Sequence, residues 1–87
     1  MAATRPPPRI LFVHNGTANT EHVKYLTAAG LGVAEVHAAS ALAEALDRQP
    51  DIVVLDFAVD GEVTAQLKGH PDTSAIPIIA LMVFFGG

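Results

Sequence analysis

The chain has 87 residues, enough for one small domain, and its lack of cysteine excludes disulfides, thiolate metal sites and thiol nucleophiles. The net charge is −4 with five Lys and Arg residues, which argues against the clustered basic surface that nucleic-acid binding requires. Hydrophobic residues make up 51% of the sequence, but their runs are too short to predict a membrane-spanning segment. A small domain without disulfides is typical of the cytoplasm, and we expect this location.

The first nine residues differ in character from the rest of the chain. They contain Pro6, Pro7 and Pro8, and they lack the apolar core of a secretory signal. We therefore expect residues 1–9 to form a flexible, proline-rich leader. Residues 10–87 are then expected to form a single domain, since they contain all the apolar runs of the chain.

Three elements are predicted in the first half of this domain. The β-rich run ILFV, Ile10–Val13, predicts a buried strand, and the polar residues 14–16 follow it as a turn. Apolar residues at helical spacing predict a helix over residues 17–29, which Gly30 ends. Val33–Val36 predicts a second short strand.

The second half is predicted to contain, in chain order, a helix over 41–48, a strand over 52–55, a helix over 62–68 and a strand from 78 to 85. Ser40 is a plausible cap for the first of these helices, and Pro50 ends it. The strand IVVL, Ile52–Leu55, is apolar on both faces, which is typical of an interior strand in a parallel sheet.

The alternation of strands and helices predicts an α/β fold with a parallel sheet and helices on both faces. We expect four strands in the order 2-1-3-4, which is the flavodoxin-like order without its last strand, and three helices. Strands 10–13 and 52–55 should then be central. The predicted core comprises Leu11, Val13, Leu26, Val33, Leu46, Val53, Leu55, Leu67, Ile79 and Leu81.

Two segments, taken together, resemble the receiver domain of response regulators. They are QPDIVVLDF, Gln49–Phe57, and LKGHPDTSAIPIIAL, Leu67–Leu81; ILFV and the segment LTAAGLGV, Leu26–Val33, fit the first strand and first helix of that family. The resemblance implies a flavodoxin-like fold in which Asp56 occupies the phospho-acceptor position at the end of the third strand. Such a site lies at the carboxyl ends of the parallel strands.

Other positions depart from the receiver pattern. Receivers carry an acidic pair after the first strand to hold Mg²⁺, and the matching residues here are His14 and Asn15. Mg²⁺ prefers several hard oxygen ligands, and this pair supplies no carboxylate. The segment DFAVDG, Asp56–Gly61, is shorter than in receivers, which puts in doubt the backbone ligand that falls at Ala58.

The receiver's switch position is also changed. Receivers place a Thr or Ser at the end of the fourth strand, and the matching residue is Met82, which cannot donate a hydrogen bond. The sequence ends at Gly87, before the positions of the family's phosphate-binding Lys and last helix. We therefore expect a truncated receiver-like domain in which Asp56 alone of the active-site residues is unchanged.

These departures favour a non-catalytic signalling or protein-interaction module that works without phosphorylation and without a cofactor. The alternative is a phospho-accepting receiver, switched by phosphorylation of Asp56 and dependent on Mg²⁺. A third and weaker hypothesis is the N-terminal half of a nucleotide- or cobalamin-binding α/β domain. Residues 14–17, HNGT, do not support it, because they differ from the glycine-rich phosphate-binding motif GxGxxG.

Two further hypotheses concern the side chains near Asp56. The side chain of Asp56 could serve only to cap the helix that follows it or to satisfy a loop. His14 and His37 each end a strand beside it, so a His-His-Asp metal site is conceivable, although histidines at strand ends are more often hydrogen-bonded loop residues.

The last apolar run predicts self-association. Residues 78–85 contain no charge and no internal proline, and in the predicted sheet nothing follows this strand. An unpaired edge of this kind is a template for another chain. We expect a homodimer, with other signalling proteins as possible partners and with no nucleic-acid or membrane partner. The expected dimer edge comprises Ile79, Leu81, Val83, Phe84 and Phe85.

Overall fold

The computed structural model describes residues 8–16, 20–56, 59 and 61–81. These residues contain four strands, β1 (Arg9–His14), β2 (Gly32–His37), β3 (Ile52–Leu55) and β4 (Ile78–Ala80). They also contain three α-helices, α1 (Thr20–Ala28), α2 (Ala41–Arg48) and α3 (Gly61–Gly69), with a 3-10 turn, Ala38–Ser40, before α2. Within this described part, no helix is long and apolar enough to span a membrane.

The four strands form one sheet in the order β2-β1-β3-β4, and all three neighbouring pairs are parallel. The predicted topology is therefore confirmed, with β1 and β3 at the centre. In the register, Phe12 of β1 lies beside Val54 of β3, which lies beside Ile79 of β4. Because the strands are parallel, their carboxyl ends meet at one edge of the sheet.

The central strands are apolar on both faces because both faces are covered. One face packs under α2 and α3 in a cluster of nine buried residues: Leu11, Val13, Val36, Ala41, Ala45, Val53, Leu55, Val63 and Leu67. The opposite face has a smaller buried cluster of Ile10, Phe12 and Val54, against which Leu26 of α1 packs. The three-layer arrangement follows from this division, since each face of the sheet must bury its apolar side chains.

The predicted core is confirmed at five positions: Leu11, Val13, Val53, Leu55 and Leu67. Four more predicted core residues, Leu26, Val33, Leu46 and Leu81, are half-buried. The prediction was wrong for Ile79, which is 48% exposed. Ile79 belongs to the edge strand of the described sheet and lies on the face where α1 is the one described helix. The alternation of apolar residues therefore did not correspond to burial.

The hydrogen bonds at the helix ends agree only in part with what the sequence predicts. Gly30 has a φ of +87° and ends α1, with Gly30 N donating to Thr27 O and Leu31 N donating to Leu26 O, which together form a Schellman motif. Ser40 occupies the N-cap position of α2, as predicted, but its side chain makes no capping hydrogen bond. The 3-10 turn before α2 is started instead by the imidazole of His37, which accepts from Ala39 N.

Several predicted features lie partly outside the described residues. Of the expected leader, residues 1–7 lie outside, whereas Arg9 is the first residue of β1. The expected start of α1 at 17–19 also lies outside. The last strand is described as far as Ala80, and residues 82–87 fall beyond the described part.

Candidate functional site at the carboxyl edge of the sheet

The carboxyl edge brings together residues from the ends of all four strands. His14 of β1 lies in register with His37 of β2. Asp56 N donates to Val13 O at 2.9 Å, so the residue after β3 lies beside the end of β1. Leu81 follows β4 and is tied to the same edge, because its backbone N–H donates to the carbonyl of Leu55 at 2.9 Å.

Asp56 is the buried carboxylate of this edge, with 2% of its surface exposed. Its backbone carbonyl accepts from Val59 N at 3.0 Å, which begins the turn out of β3. Residues 57–60 separate Asp56 from Gly61, the first residue of α3, so Asp56 does not occupy the N-cap position of that helix. Asp56 is therefore not the N-cap residue of α3, whereas its expected role in satisfying the loop after β3 stays a prediction.

The two histidines of the edge are engaged in local turns. His14 Nδ1 accepts from Gly16 N at 3.2 Å, and His37 Nδ1 accepts from Ala39 N at 3.1 Å. Their rings meet edge to face, with centroids 6.0 Å apart and an interplanar angle of 85°. A ring nitrogen that accepts a hydrogen bond uses its lone pair to do so, and that lone pair is then not available to a metal.

His14 and Asn15, at the end of β1 beside Asp56, do not supply the ligands that a magnesium ion prefers. Asn15 offers an amide and His14 an imidazole where Mg²⁺ prefers carboxylate oxygens. Among the described residues, no group of three or more His, Cys, Asp or Glu side chains is placed to hold a metal ion. The hypothesis of a site made by His14, His37 and Asp56 is therefore wrong. Ala58 and Met82, the other positions implied by the receiver resemblance, lie outside the described residues.

A hollow of about 280 Å³ opens beside this edge. It lies between the loop after β1 and the first turns of α3, and its wall consists of Asn15, Ala38, Ala39, Glu62, Val63 and Gln66. This is the place where the chain connections leave the sheet in opposite directions, since β1 leads to β2 on one side and β3 leads to β4 on the other. Sequence reasoning missed Glu62 and Gln66, although their spacing on one helix puts both on the same face.

Thr73 is a second buried polar residue that sequence reasoning missed. It has no exposed surface, and its Oγ1 donates to Leu67 O at 2.6 Å. This bond ties the loop before β4 to the last turns of α3. No sequence signal distinguished Thr73 from its neighbour Ser74, which is exposed.

Comparison with known proteins adds a structural likeness. No protein-family model matches the sequence, and no curated protein matches it. Three solved chains do match. One of them is a response regulator from Desulfuromonas acetoxidans, with a TM-score of 0.72 over 83% of this chain. The chain has the fold of a receiver domain. The sequence identity is 23%, and the match spans 63% of the response-regulator chain.

The position of Asp56 agrees with the position of ligand sites in the receiver fold. In this fold the residue that ends β3 lies at the carboxyl edge, where ligands of open α/β sheets bind. Asp56 lies at this position, and the strand order that puts β3 beside β1 was predicted from the sequence. At 23% identity the likeness concerns the fold, and the chemistry has to be argued from the side chains.

Proposed function

We propose that this chain is a non-catalytic, receiver-like module for signalling or protein interaction in a phosphorelay of the two-component type, acting in the cytoplasm. It works without phosphorylation of Asp56 and associates with a second copy of itself through its last strand. The receiver fold supports the signalling class, because a matching structure is a response regulator. The side chains at the carboxyl edge support the absence of phosphoryl transfer.

The observation that carries the proposal is the chemistry of His14 and Asn15, the two residues that follow Val13 beside Asp56. Attack by a carboxylate on a phosphoryl group brings negative charges together, so it needs a cation to offset them. His14 uses Nδ1 to form the turn to Gly16, and Asn15 presents a neutral amide. Neither residue supplies the anionic oxygen that would hold a divalent cation beside Asp56.

Incubation with acetyl phosphate and Mg²⁺, followed by intact-mass measurement, tests the chemical part of this proposal. We expect no species heavier by one phosphoryl group, because Asp56 is buried and neither His14 nor Asn15 supplies a carboxylate to hold the metal. Asp56→Asn serves as the matched control, since it keeps the size of the side chain and removes the nucleophile. A phosphorylated species in the original chain that is absent from Asp56→Asn would support the alternative, a phospho-accepting receiver.

The open edge of β4 supports self-association. In the described sheet β4 has one neighbour, β3, and its residue Ile79 is 48% exposed. Exposed strand edges pair readily with other strands, and two identical edges related by a two-fold axis must pair antiparallel. The product is one continuous sheet across two copies, or an exchange in which the last strand of each copy docks into the other. Each large apolar side chain buried there contributes roughly 1.5–3 kcal/mol before the cost of association.

The sequence stays apolar beyond β4. After Leu81 come Met82, Val83, Phe84 and Phe85, and none of them carries a charge. β-branched and aromatic residues favour extended strands. We therefore propose that the paired edge includes Ile79, Leu81 and residues 83–85. The dimer joins the sheet edges and leaves the carboxyl edge accessible to other signalling proteins.

A further inference from the structure

The hollow of about 280 Å³ at the carboxyl edge has one wall that is made by two short turns. Its six lining residues come from three places: Asn15 after β1, Ala38 and Ala39 after β2, and three residues of α3. The loop after β1 and the 3-10 turn after β2 therefore form one wall, and α3 forms the rest. What fixes the two turns also fixes the shape of the hollow.

Each of these turns is held by the histidine that ends the strand before it. His14 Nδ1 accepts from Gly16 N at 3.2 Å, and this bond closes the turn over Asn15. His37 Nδ1 accepts from Ala39 N at 3.1 Å, and this bond starts the 3-10 turn. The residues of the wall are therefore the residues that the two bonds position.

Both bonds need a neutral imidazole. The backbone N–H is the donor, so Nδ1 of His14 and of His37 must present its lone pair, and the proton of each neutral ring then lies on Nε2. A protonated ring carries hydrogen on both nitrogens and accepts at neither. Histidine ordinarily changes charge between about pH 5 and pH 8, which makes acidification over this range the means of removing both acceptors.

The two rings are also neighbours, so a charge on one acts on the other. His14 and His37 lie in register on adjacent parallel strands, and their ring centroids are 6.0 Å apart. Two positive charges at this separation repel each other. Ions in solution screen them only in part, because the separation is shorter than the Debye length of about 8 Å at physiological ionic strength. The repulsion acts at the strand ends, where the two turns begin.

The other charged groups that surround this end of the described sheet take no part in the two turn bonds. Glu35 lies on the same side of β2 as the histidine that ends the strand, two residues before it. Asp56 follows β3, Glu62 of α3 lines the hollow, and Lys24 lies one turn into α1. Neither turn bond uses any of these groups, so the imidazoles are the groups whose change of charge acts directly on the turns.

We propose that His14 and His37 are a pH-sensitive switch for the wall of this hollow. At neutral pH the uncharged rings hold both turns, and the wall has the shape described above. Protonation removes both acceptors and places two positive charges side by side, so the turns open and the wall residues move. The carboxyl edge then has a change of state that needs neither a phosphoryl group on Asp56 nor a second copy of the chain.

Nuclear magnetic resonance between about pH 7.5 and about pH 5 tests this switch, since histidine ordinarily titrates in this range. Long-range nitrogen–proton spectra of the imidazoles report the tautomer, and we expect the Nε2–H form for both rings at neutral pH. On acidification the amide protons of Gly16 and Ala39 should shift upfield, because each loses its acceptor, and the resonances of Val63 on the α3 side of the hollow should shift with them. An Nδ1–H tautomer at neutral pH, or amide resonances that stay in place while the rings titrate, would overturn the proposal.

The double variant His14→Asn with His37→Asn makes the assignment specific. An asparagine side chain accepts from the backbone N–H two residues further on and has no charge to gain, so the turns should persist and the acid-induced shift of Val63 should be lost. His70→Asn is the matched control. His70 Nδ1 accepts from Asp72 N at 3.1 Å in the same way, but it follows the last residue of α3, whereas the first turns of α3 line the hollow. The shift of Val63 should remain in His70→Asn. A shift that persists in the double variant would overturn the switch and assign the response to the nearby carboxylates.

Discussion

Three imidazoles of this chain accept hydrogen bonds from the backbone two residues further on. His14, His37 and His70 each use Nδ1 in this way, at 3.2, 3.1 and 3.1 Å. Asn and Asp side chains form turns by the same geometry. The histidines near Asp56 are thus explained by loop formation, and the sequence could not show which ring nitrogen would be engaged.

Thr73 is the residue for which a single hydrogen bond should matter most. Its buried hydroxyl donates to the carbonyl of Leu67, so Thr73→Val keeps the shape of the side chain and leaves that carbonyl without its donor. We expect a loss of about 1–3 kcal/mol in the free energy of unfolding, measured by urea denaturation. Thr27→Val, at an exposed position of α1, is the matched control and should change it by no more than about 0.5 kcal/mol. Equal losses in the two variants would contradict the role of this bond.

At the scale of the elements, two glycines provide a test of how the helices end. Gly30 has a φ of +87°, and no atom lies within 4 Å of the place where a Cβ would stand, so backbone strain is the cost of Gly30→Ala. We expect a loss of about 1–2 kcal/mol in unfolding free energy. Gly69, in the last turn of α3, has no positive φ and equally open surroundings. Gly69→Ala should therefore stabilise the protein, by no more than about 1 kcal/mol, and a loss as large as that of Gly30→Ala would contradict the argument.

The elements also show how far the sequence determines the fold. The strand Ile52–Leu55 and the helix Ala41–Arg48 were predicted with the bounds that they have, because an apolar run on both faces and a following proline are strong signals. The exposure of Ile79 could not be predicted, since alternation does not show how many helices cover a face. The bond of Thr73 and the hollow beside Glu62 depend on contacts between elements that are distant in sequence, so they had no local signal.

The ion pair on α2 contributes little to the stability of the fold. Arg48 and Glu44 form an ion pair at 2.7 Å, one turn apart on α2. The hydrogen bond and the charge of Glu44 raise the pKa of Arg48 above its ordinary value. Both side chains are partly exposed to solvent, which screens such pairs, so the pair affects the surface of the helix more than the stability of the fold.

Considered as a whole molecule, the described chain is a sheet with one well-covered face and one partly covered face. The covered face holds the larger cluster under α2 and α3. The other face holds three buried residues and an open hollow that leads to the exposed Ile79 at the edge. Parallel sheets are normally buried on both faces, so the α1 side is the less completely covered face of the described sheet.

Self-association through β4 is the central claim, and light scattering at micromolar concentration is its most direct test. We predict twice the mass of one chain for the protein, and the mass of one chain for Ile79→Lys. Ile79 is already half exposed, so a lysine there should leave the fold intact while placing a charge in the paired edge. Ala43→Lys, on the exposed side of α2, is the control and should stay dimeric. A folded protein with the mass of one chain before any substitution would contradict the account.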